Sequence, residues 1–239
     1  MLNGHRPVAS GERRLIEGVV RNLPLFAGLA PGQLQSLAAA CWTVEGARGS
    51  ALVRTDQRLP GVCALAYGMV KLTLRNGGTE ERLLRLVAAR ETFGEACALL
   101  GRPSPYDVVA LAQVKLIVIP SASLLSLLER EVRVAKALVA NLAEGHLELC
   151  AQIESATLQK GAQRLATYLS ELAGDGAYGG ECAVQLPFSK TLLAAHLGIK
   201  KETLSRLLRQ LASSGVIAVS RRSILIRDRE RLLGASGSD

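Results

Sequence analysis

Aromatic residues are scarce in this chain. Phenylalanine, tyrosine and tryptophan make up 3% of its 239 residues, whereas hydrophobic residues as a class make up 49%. The cores must therefore be built from leucine, valine, isoleucine and alanine. Binding of nucleic acid by stacking bases on an aromatic surface is excluded as the main mode, because it needs several exposed rings.

Cysteine and histidine are also few, and their dispersal argues against metal and redox chemistry. The five cysteines include no Cys-x-x-Cys pair, and the three histidines lie far apart. The sequence shows no signal peptide, so reduced thiols in the cytoplasm are expected. Apolar runs are too short and too charged to cross a bilayer, and no membrane partner is expected. No phosphate loop, carboxylate pair or Ser-His-Asp set stands out, which argues against an enzyme.

Positive charge is in excess. Lysine and arginine number 29 against 21 aspartates and glutamates, which gives a net charge of +8. Such an excess favours a polyanionic partner such as nucleic acid.

Residues 190–209 predict a helix-turn-helix. Leu192, Leu193 and Leu197 give a first helix an apolar side, and Gly198 supplies the turn. The second helix buries its leucines and exposes a polar face at i, i+1, i+4, i+5 and i+8. The alternative is an ordinary helical hairpin with a solvated charged face. A small residue at Ala194 and the basic hairpin downstream favour the helix-turn-helix.

That basic hairpin follows the second helix. Two β-branched runs, 216–219 and 223–226, flank Arg221 and Arg222. The pattern predicts a β-hairpin wing whose arginines contact phosphate.

The sequence pattern of the N-terminal half predicts a small β-barrel or roll. Short runs rich in valine, leucine and threonine alternate with glycine-rich turns, and Asn76-Gly77 is a hairpin signal. The strand-like runs are 51–54, 62–66, 69–75, 82–87 and 108–119.

A long amphipathic helix connects the two halves. Apolar residues from Val132 to Ala156 follow the heptad spacing of a coiled coil, which predicts that two copies of the chain pack along it. A single core helix against the roll is the alternative, and both can hold at once. The predicted dimer seam is Val139, Leu142, His146, Leu149 and Ile153.

The predicted fold class is therefore α+β in three parts. Residues 1–131 form an effector-sensing β-roll, 132–160 a dimerisation helix, and 161–239 a winged helix-turn-helix DNA-binding domain.

In this order, the pieces resemble the Crp/Fnr superfamily of bacterial transcription regulators. The motifs that carry the resemblance are Asn22-Leu-Pro-Leu-Phe-Ala-Gly-Leu, Gly68-Met-Val-Lys71 and Phe93-Gly-Glu95. The resemblance implies a cyclic-nucleotide-binding-type roll and a homodimer that binds palindromic double-stranded DNA and recruits RNA polymerase, as an activator.

The second helix of the helix-turn-helix carries a Glu-x-x-Ser-Arg signature at 202–206. Within the family, this signature resembles that of regulators that bind TTGAT-N4-ATCAA. Arg206 can donate two hydrogen bonds to guanine, Glu202 can accept from cytosine, and Ser205 can contact a thymine methyl. The expected phosphate contacts, which make binding weaken with salt, are Lys190, Lys201, Arg209, Arg221 and Arg222.

The effector is the least determined part. The family resemblance places the effector pocket at Phe93, Gly94, Glu95, Tyr106 and Asp107. Cyclic-nucleotide-binding members carry a Gly-Glu pair for the ribose, which is present here as Gly94-Glu95, and then an Arg-Ser pair for the cyclic phosphate. This chain has Tyr106-Asp107 in place of the Arg-Ser pair, and Arg102, on a proline-flanked loop nearby, is the residue that could substitute. A carboxylate repels a phosphodiester, so cyclic AMP is not expected. An iron-sulfur cluster is not expected either, because no cysteine precedes Cys41.

The segment from Glu91 to Ala96 and the recognition signature are most similar to the dissimilatory nitrate respiration regulators, which are linked to nitric oxide sensing through haem. His146 is the candidate haem ligand, with Cys150 one turn later. The alternative is that His146 is a polar residue that fixes the register of the dimer. A cyclic-nucleotide-responsive or effector-independent regulator of the same family is the alternative function.

Overall fold

The computed structural model describes residues 2, 10–75, 81–174, 181–221 and 223–234. The chain divides into two compact units, residues 1–147 and 148–239, with the division inside the long helix. Each unit has its own apolar core. Within the described residues, none of the helices is both long and apolar enough to cross a membrane.

The first unit begins with helices that pack against the outside of a β-roll. Helix α1 spans Ser10–Arg21, a 3-10 helix spans Pro24–Phe26, and α2 spans Pro31–Ala40. Pro31 occupies the first turn of α2, where its missing N–H leaves no hydrogen bond unmade.

The roll consists of two four-stranded antiparallel sheets. The first contains β1 Trp42–Gly46, β3 Gly61–Tyr67, β6 Thr92–Phe93 and β8 Val114–Pro120, in the order β1-β8-β3-β6. The second contains β2 Ala51–Val53, β4 Met69–Arg75, β5 Glu81–Ala88 and β7 Asp107–Ala110, in the order β2-β7-β4-β5.

The sequence of β8 is a nearly continuous apolar run, and the position of this strand explains why. Leu116 and Val118 face the interior of the roll, whereas Ile117 and Ile119 face the layer of helices outside it. Both faces of this strand are buried, so it has no need for polar alternation. The predicted run 108–119 is wrong as a single strand, because its ends belong to β7 in one sheet and β8 in the other. The predicted Asn76-Gly77 turn lies outside the described residues.

Three helices complete the first unit and begin the second. Helix α3 spans Glu95–Leu100, α4 spans Ser121–Arg130, and α5 spans Val132–Leu158. Val134 and Leu138 of α5 are buried in the cluster that contains α1, α2 and α4. The N-terminal part of α5 therefore belongs to the core of the first unit.

The second unit is a winged helix. Its further elements are α6 Gly161–Ala173, β9 Cys182–Gln185, α7 Lys190–His196, α8 Lys201–Ser213, β10 Ile217–Ser220, β11 Ser223–Ile226 and α9 Arg229–Gly234. The three strands form an antiparallel sheet in the order β10-β11-β9. Leu165, Leu193 and Leu204, from three different helices, are buried in one core. The predicted wing is therefore present, with β9 as an additional strand.

Gly61 tests the close packing of the roll. It pairs with Pro120, and a Cβ at this position would lie 1.8 Å from the carbonyl oxygen of Ile119. We expect Gly61→Ala to lower the free energy of unfolding by about 3 kcal/mol or more, because the backbone of β8 must move. Chemical denaturation measures the change.

Gly18→Ala is the matched control. Gly18 lies in α1, and no described atom lies within 4 Å of a Cβ placed there. Alanine should stabilise this helix by about 0.5–1 kcal/mol. Equal effects of the two substitutions would contradict the close approach of β3 and β8.

Candidate nucleic-acid interface and effector site

The first helix of the helix-turn-helix has a defined start and a defined end. The Ser189 side chain accepts a hydrogen bond from the backbone N–H of Leu192 at 3.3 Å, so it caps α7. After α7, Gly198 adopts a φ of +62°, and the N–H of Ile199 donates to the carbonyl of Ala194 at 3.0 Å. This is the glycine-closed helix end that the sequence predicts.

The leucines predicted on the apolar sides of α7 and α8 are buried, except Leu192 and Leu207, which are half-buried. Leu193, Ala194 and Leu197 of the first helix and turn are buried, as are Leu204 and Leu208 of α8. Ala194 is 3% exposed, so its small side chain lies in the packed interior. The burial of one side fixes which side of α8 faces outward.

The outward side of α8 is polar. The side chains of Glu202, Ser205 and Arg206 are exposed, and Lys201 and Arg209 are exposed beside them. In the part of the chain that the structure describes, Glu202, Arg206 and Arg209 make no ion pair with other side chains. These groups are therefore available to a partner.

Two of the other predicted phosphate contacts are described. Lys190 is half-buried at the start of α7, and Arg221 is exposed at the tip between β10 and β11. Arg221 has a φ of +23°. Arg222 lies outside the described residues.

His196 belongs to an aromatic cluster that the sequence does not reveal. Its ring lies 5.2 Å from that of Tyr168 and 5.8 Å from that of Phe188, centroid to centroid. Partial burial against these rings lowers the pKa of the imidazole. The cluster joins α6 to α7, so His196 supports the helix-turn-helix.

Four of the five predicted effector residues lie together in the roll. Phe93 is buried, and Gly94 adopts a φ of +88° immediately before α3. Glu95 is 7% exposed, and within the described residues its Oε1 atom has no hydrogen-bond partner. Tyr106 lies close enough to hydrogen-bond the thiol of Cys97. Burial, then the negative charge that Cys97, Glu95 and Cys63 can carry, raises the pKa of the Tyr106 phenol.

The fifth predicted residue, Asp107, lies on the other face of its sheet. Val108 and Ala110 of β7 point into the roll core, so strand alternation directs Asp107 away from it. Its carboxylate accepts from the Thr55 N–H at 2.7 Å and the Thr55 hydroxyl at 3.0 Å, and Nε of Arg75 lies at 2.8 Å.

Two arginines beside Asp107 were not anticipated from the sequence. Besides Arg75, Nη1 of Arg54 lies 3.8 Å from the carboxylate. Burial favours the neutral acid, but the hydrogen bonds from Thr55 and the two guanidinium groups outweigh it, so the pKa of Asp107 is lowered. The Asp107 carboxylate therefore pairs with the hydrogen-bond donors of Thr55, Arg75 and Arg54 that surround it.

The side of α5 that carries the predicted dimer seam is exposed. Val139, Leu142, Leu149 and Ile153 are exposed apolar residues, and His146 lies in the same row. Val134 and Leu138 of the same helix are buried. The helix thus shows two apolar sides, of which one is covered within the single chain.

Comparisons with known protein families cover both units. Residues 43–131 match the cyclic nucleotide-binding domain, and residues 163–234 match the Crp-like helix-turn-helix domain. A relative from Thermus thermophilus, called cyclic AMP receptor protein, is 26% identical over 209 residues, or 87% of this chain and 94% of that protein.

Solved structures share the fold. FixK2 from Bradyrhizobium japonicum has a TM-score of 0.68 at 21% identity, covering 83% of this chain and 98% of that one. A CRP/FNR-family transcriptional regulator from Thermus thermophilus has a TM-score of 0.61 at 24% identity, covering 82% and 100%. The predicted α+β class, with an N-terminal roll and a C-terminal winged helix-turn-helix, is confirmed.

Asp107→Asn tests the ionic cluster on the roll. At neutral pH we expect the variant to lose about 1–3 kcal/mol of unfolding free energy, because the charged hydrogen bonds are weakened. Because the pKa of Asp107 is lowered in the folded state, the carboxylate stabilises the folded wild type at every pH above the ordinary carboxyl pKa of 3.8. This advantage disappears as pH falls through the folded-state pKa. Urea unfolding at a series of pH values measures both effects.

Asp56→Asn serves as the control in the same loop. Asp56 is exposed with a φ of +66°, a conformation that asparagine tolerates. Its substitution should leave stability nearly unchanged. A wild-type advantage over Asp107→Asn that stays constant down to pH 3, roughly the region where such carboxyls titrate, would contradict the ionic cluster.

Proposed function

We propose that this chain, which belongs to the Crp/Fnr family of transcription regulators, binds palindromic DNA as a homodimer under the control of an effector in its β-roll. The family assignment rests on a cyclic nucleotide-binding domain followed by a Crp-like helix-turn-helix. The chain is a DNA-binding regulator and not an enzyme. The observation that carries the proposal is the exposed, unpaired polar face of α8.

The DNA sequence we assign is TTGAT-N4-ATCAA. Glu202, Ser205 and Arg206 lie within the first turns of α8, which is the part of a recognition helix that reaches base edges in the major groove. Arg206 fits a guanine, since its guanidinium donates two parallel hydrogen bonds. Lys190, Lys201, Arg209 and the wing arginines then contact phosphates and set the register.

The dimer we propose packs along α5. An exposed row of leucine, valine and isoleucine costs free energy in water, and a second copy of the same helix covers it. Two chains related by a twofold axis present two copies of α8, which matches the twofold symmetry of a palindrome.

Regulation follows as a population shift. An effector that binds one arrangement of the dimer more tightly increases the population of that arrangement. We place the effector at Phe93, Gly94, Glu95 and Tyr106, in the roll. DNA-bound dimers then recruit RNA polymerase and act as activators, as the family resemblance implies.

The effector we favour is not a cyclic nucleotide. The Thermus relative is called a cyclic AMP receptor protein. In this chain, Tyr106-Asp107 stands where an Arg-Ser pair would bind the phosphodiester. The neutral phenol of Tyr106 does not replace the charge of that arginine, and Asp107 points to the other face of its sheet, where it pairs with Arg54 and Arg75. A cyclic-nucleotide-responsive or effector-independent regulator is the alternative, and cyclic AMP titration separates the two.

Haem-based nitric oxide sensing, as in the nitrate respiration subgroup, stays a prediction. A haem needs an axial ligand within an apolar enclosure. The His146 side chain is exposed on α5 within the proposed dimer seam, so a single chain does not supply that enclosure. The residues fit the polar seam role better. The visible absorption spectrum of protein purified without oxygen distinguishes haem from a colourless protein.

Val139→Glu tests the dimer. Val139 is 66% exposed, and a carboxylate in the seam is desolvated beside its symmetry mate when two chains pair. We expect a monomer by sedimentation, with weaker binding to the palindrome. Leu100→Glu is the control, because Leu100 is 65% exposed on α3 and is not one of the seam residues. A dimeric Val139→Glu protein would contradict this interface.

Arg206→Ala tests the assigned readout. We expect the preference at one guanine of each half-site to relax by about 1–3 kcal/mol in a binding-site selection, since the bidentate contact is lost. Arg209→Ala, on the same helix, should weaken binding to all sequences about equally and reduce the salt dependence. An unchanged selected site in Arg206→Ala refutes the assignment.

A further inference from the structure

Arg164 connects three parts of the second unit. It lies on α6, and its Nε donates to the carbonyl of Leu197 at 2.8 Å. Its Nη1 donates to the carbonyl of Gln159 at 2.5 Å and lies 3.4 Å from that of Ser155. Ser155 lies in the last turn of α5 and Gln159 directly follows that helix, whereas Leu197 is the residue that caps the C-terminus of α7. One guanidinium therefore donates hydrogen bonds to carbonyls at the ends of two helices.

Both ends are places where a positive charge is stabilising. The last carbonyls of a helix lack intrahelical partners and carry the negative end of the helix dipole. The guanidinium is a rigid planar fork, so it can direct separate donors to acceptors in different directions. Lysine keeps the charge but lacks this geometry. The arrangement joins the end of α5 to the end of α7 through one side chain.

The same junction is closely packed. Gly161, the first residue of α6, has no side chain, and a Cβ there would lie 3.0 Å from Cγ2 of Ile199 and 3.9 Å from Cδ1 of Leu207. Ile199 lies in the turn between α7 and α8, and Leu207 lies on α8. The start of α6 therefore lies close to α8 and the turn before it, with little room for a side chain beside Ile199.

We propose that Arg164 is a positioning residue that sets the direction of the recognition helix relative to the end of α5, and thereby the half-site spacing that the dimer accepts. The proposal rests on the proposed function, because spacing has meaning only for two chains joined along α5. Arg164 itself lies on α6 and needs no contact with a base to act in this way.

The experiment compares wild type with Arg164→Lys on palindromes whose spacer is N3, N4 or N5, and on an isolated half-site. For the wild type we expect N4 to be preferred by about tenfold or more over the other spacers. Arg164→Lys should keep half-site affinity within about twofold and lose most of the spacer preference, since the coupling between the helix ends is weakened. Fluorescence anisotropy measures all four affinities.

Arg229→Lys is the matched control. Arg229 on α9 also holds helix-end groups, because its Nε donates to the Ser170 hydroxyl at 2.7 Å and its Nη1 to the Gly174 carbonyl at 2.8 Å. It caps α6, away from the junction. It should lose comparable thermal stability without any change in spacer preference. A structural role of Arg164 alone would make the two variants behave alike, and this result overturns the proposal.

Two further measurements cover the remaining outcomes. If Arg164→Lys does not fold, Gly161→Ala disturbs the same junction with Arg164 intact and should shift the spacer preference; an unchanged preference overturns the proposal. If the wild type binds no palindrome, the proposed function fails. Hydrogen exchange then tests whether Arg164 joins the two helix ends. Arg164→Lys should speed the exchange of both the Gln159 and the Ile199 amides, and faster exchange at only one of them contradicts the proposed role of Arg164.

Discussion

The division of α8 into a buried side and a polar side is the constraint on which the rest of this protein depends. Leu204 and Leu208 can leave water only by packing against α6 and α7, and their burial fixes the rotation of the helix about its axis. Glu202, Ser205 and Arg206 then face outward without any further restraint on their own side chains. The direct readout of DNA that we propose is thus a consequence of apolar packing on the opposite side of the same helix.

Helix α5 extends this constraint from one domain to a pair of domains. Val134 and Leu138 hold its first turns in the cluster that contains α1, α2 and α4, and Arg164 holds its C-terminal end. Between these contacts lies the exposed apolar row of Val139, Leu142, Leu149 and Ile153. In the dimer that we propose, a change in how two α5 helices pair therefore acts on the residues that hold each end of the helix.

Patterns that repeat along the chain made most of this predictable. Heptad spacing, the turn glycine Gly198 and the β-branched runs around Arg221 depend on local physics, so the helices, the turn and the wing follow from the sequence. Contacts between distant segments leave no such pattern. Three contacts join residues that only the fold brings together. They are the hydrogen bond from Arg164 to Leu197, the ring contacts of His196 with Tyr168, and the ion pair of Asp107 with Arg75.

The carboxylates of Asp107 and Glu95 differ in their surroundings because their side chains point to different sides of the roll. Asp107 faces outward and is satisfied by Thr55, Arg75 and Arg54, whereas Glu95 faces the interior with one oxygen unpaired. A buried acceptor without a donor is costly, so a ligand that brings a hydrogen-bond donor to Glu95 gains the free energy that the chain forgoes. For the effector site that we propose, this favours a ligand that presents a hydrogen-bond donor to Glu95.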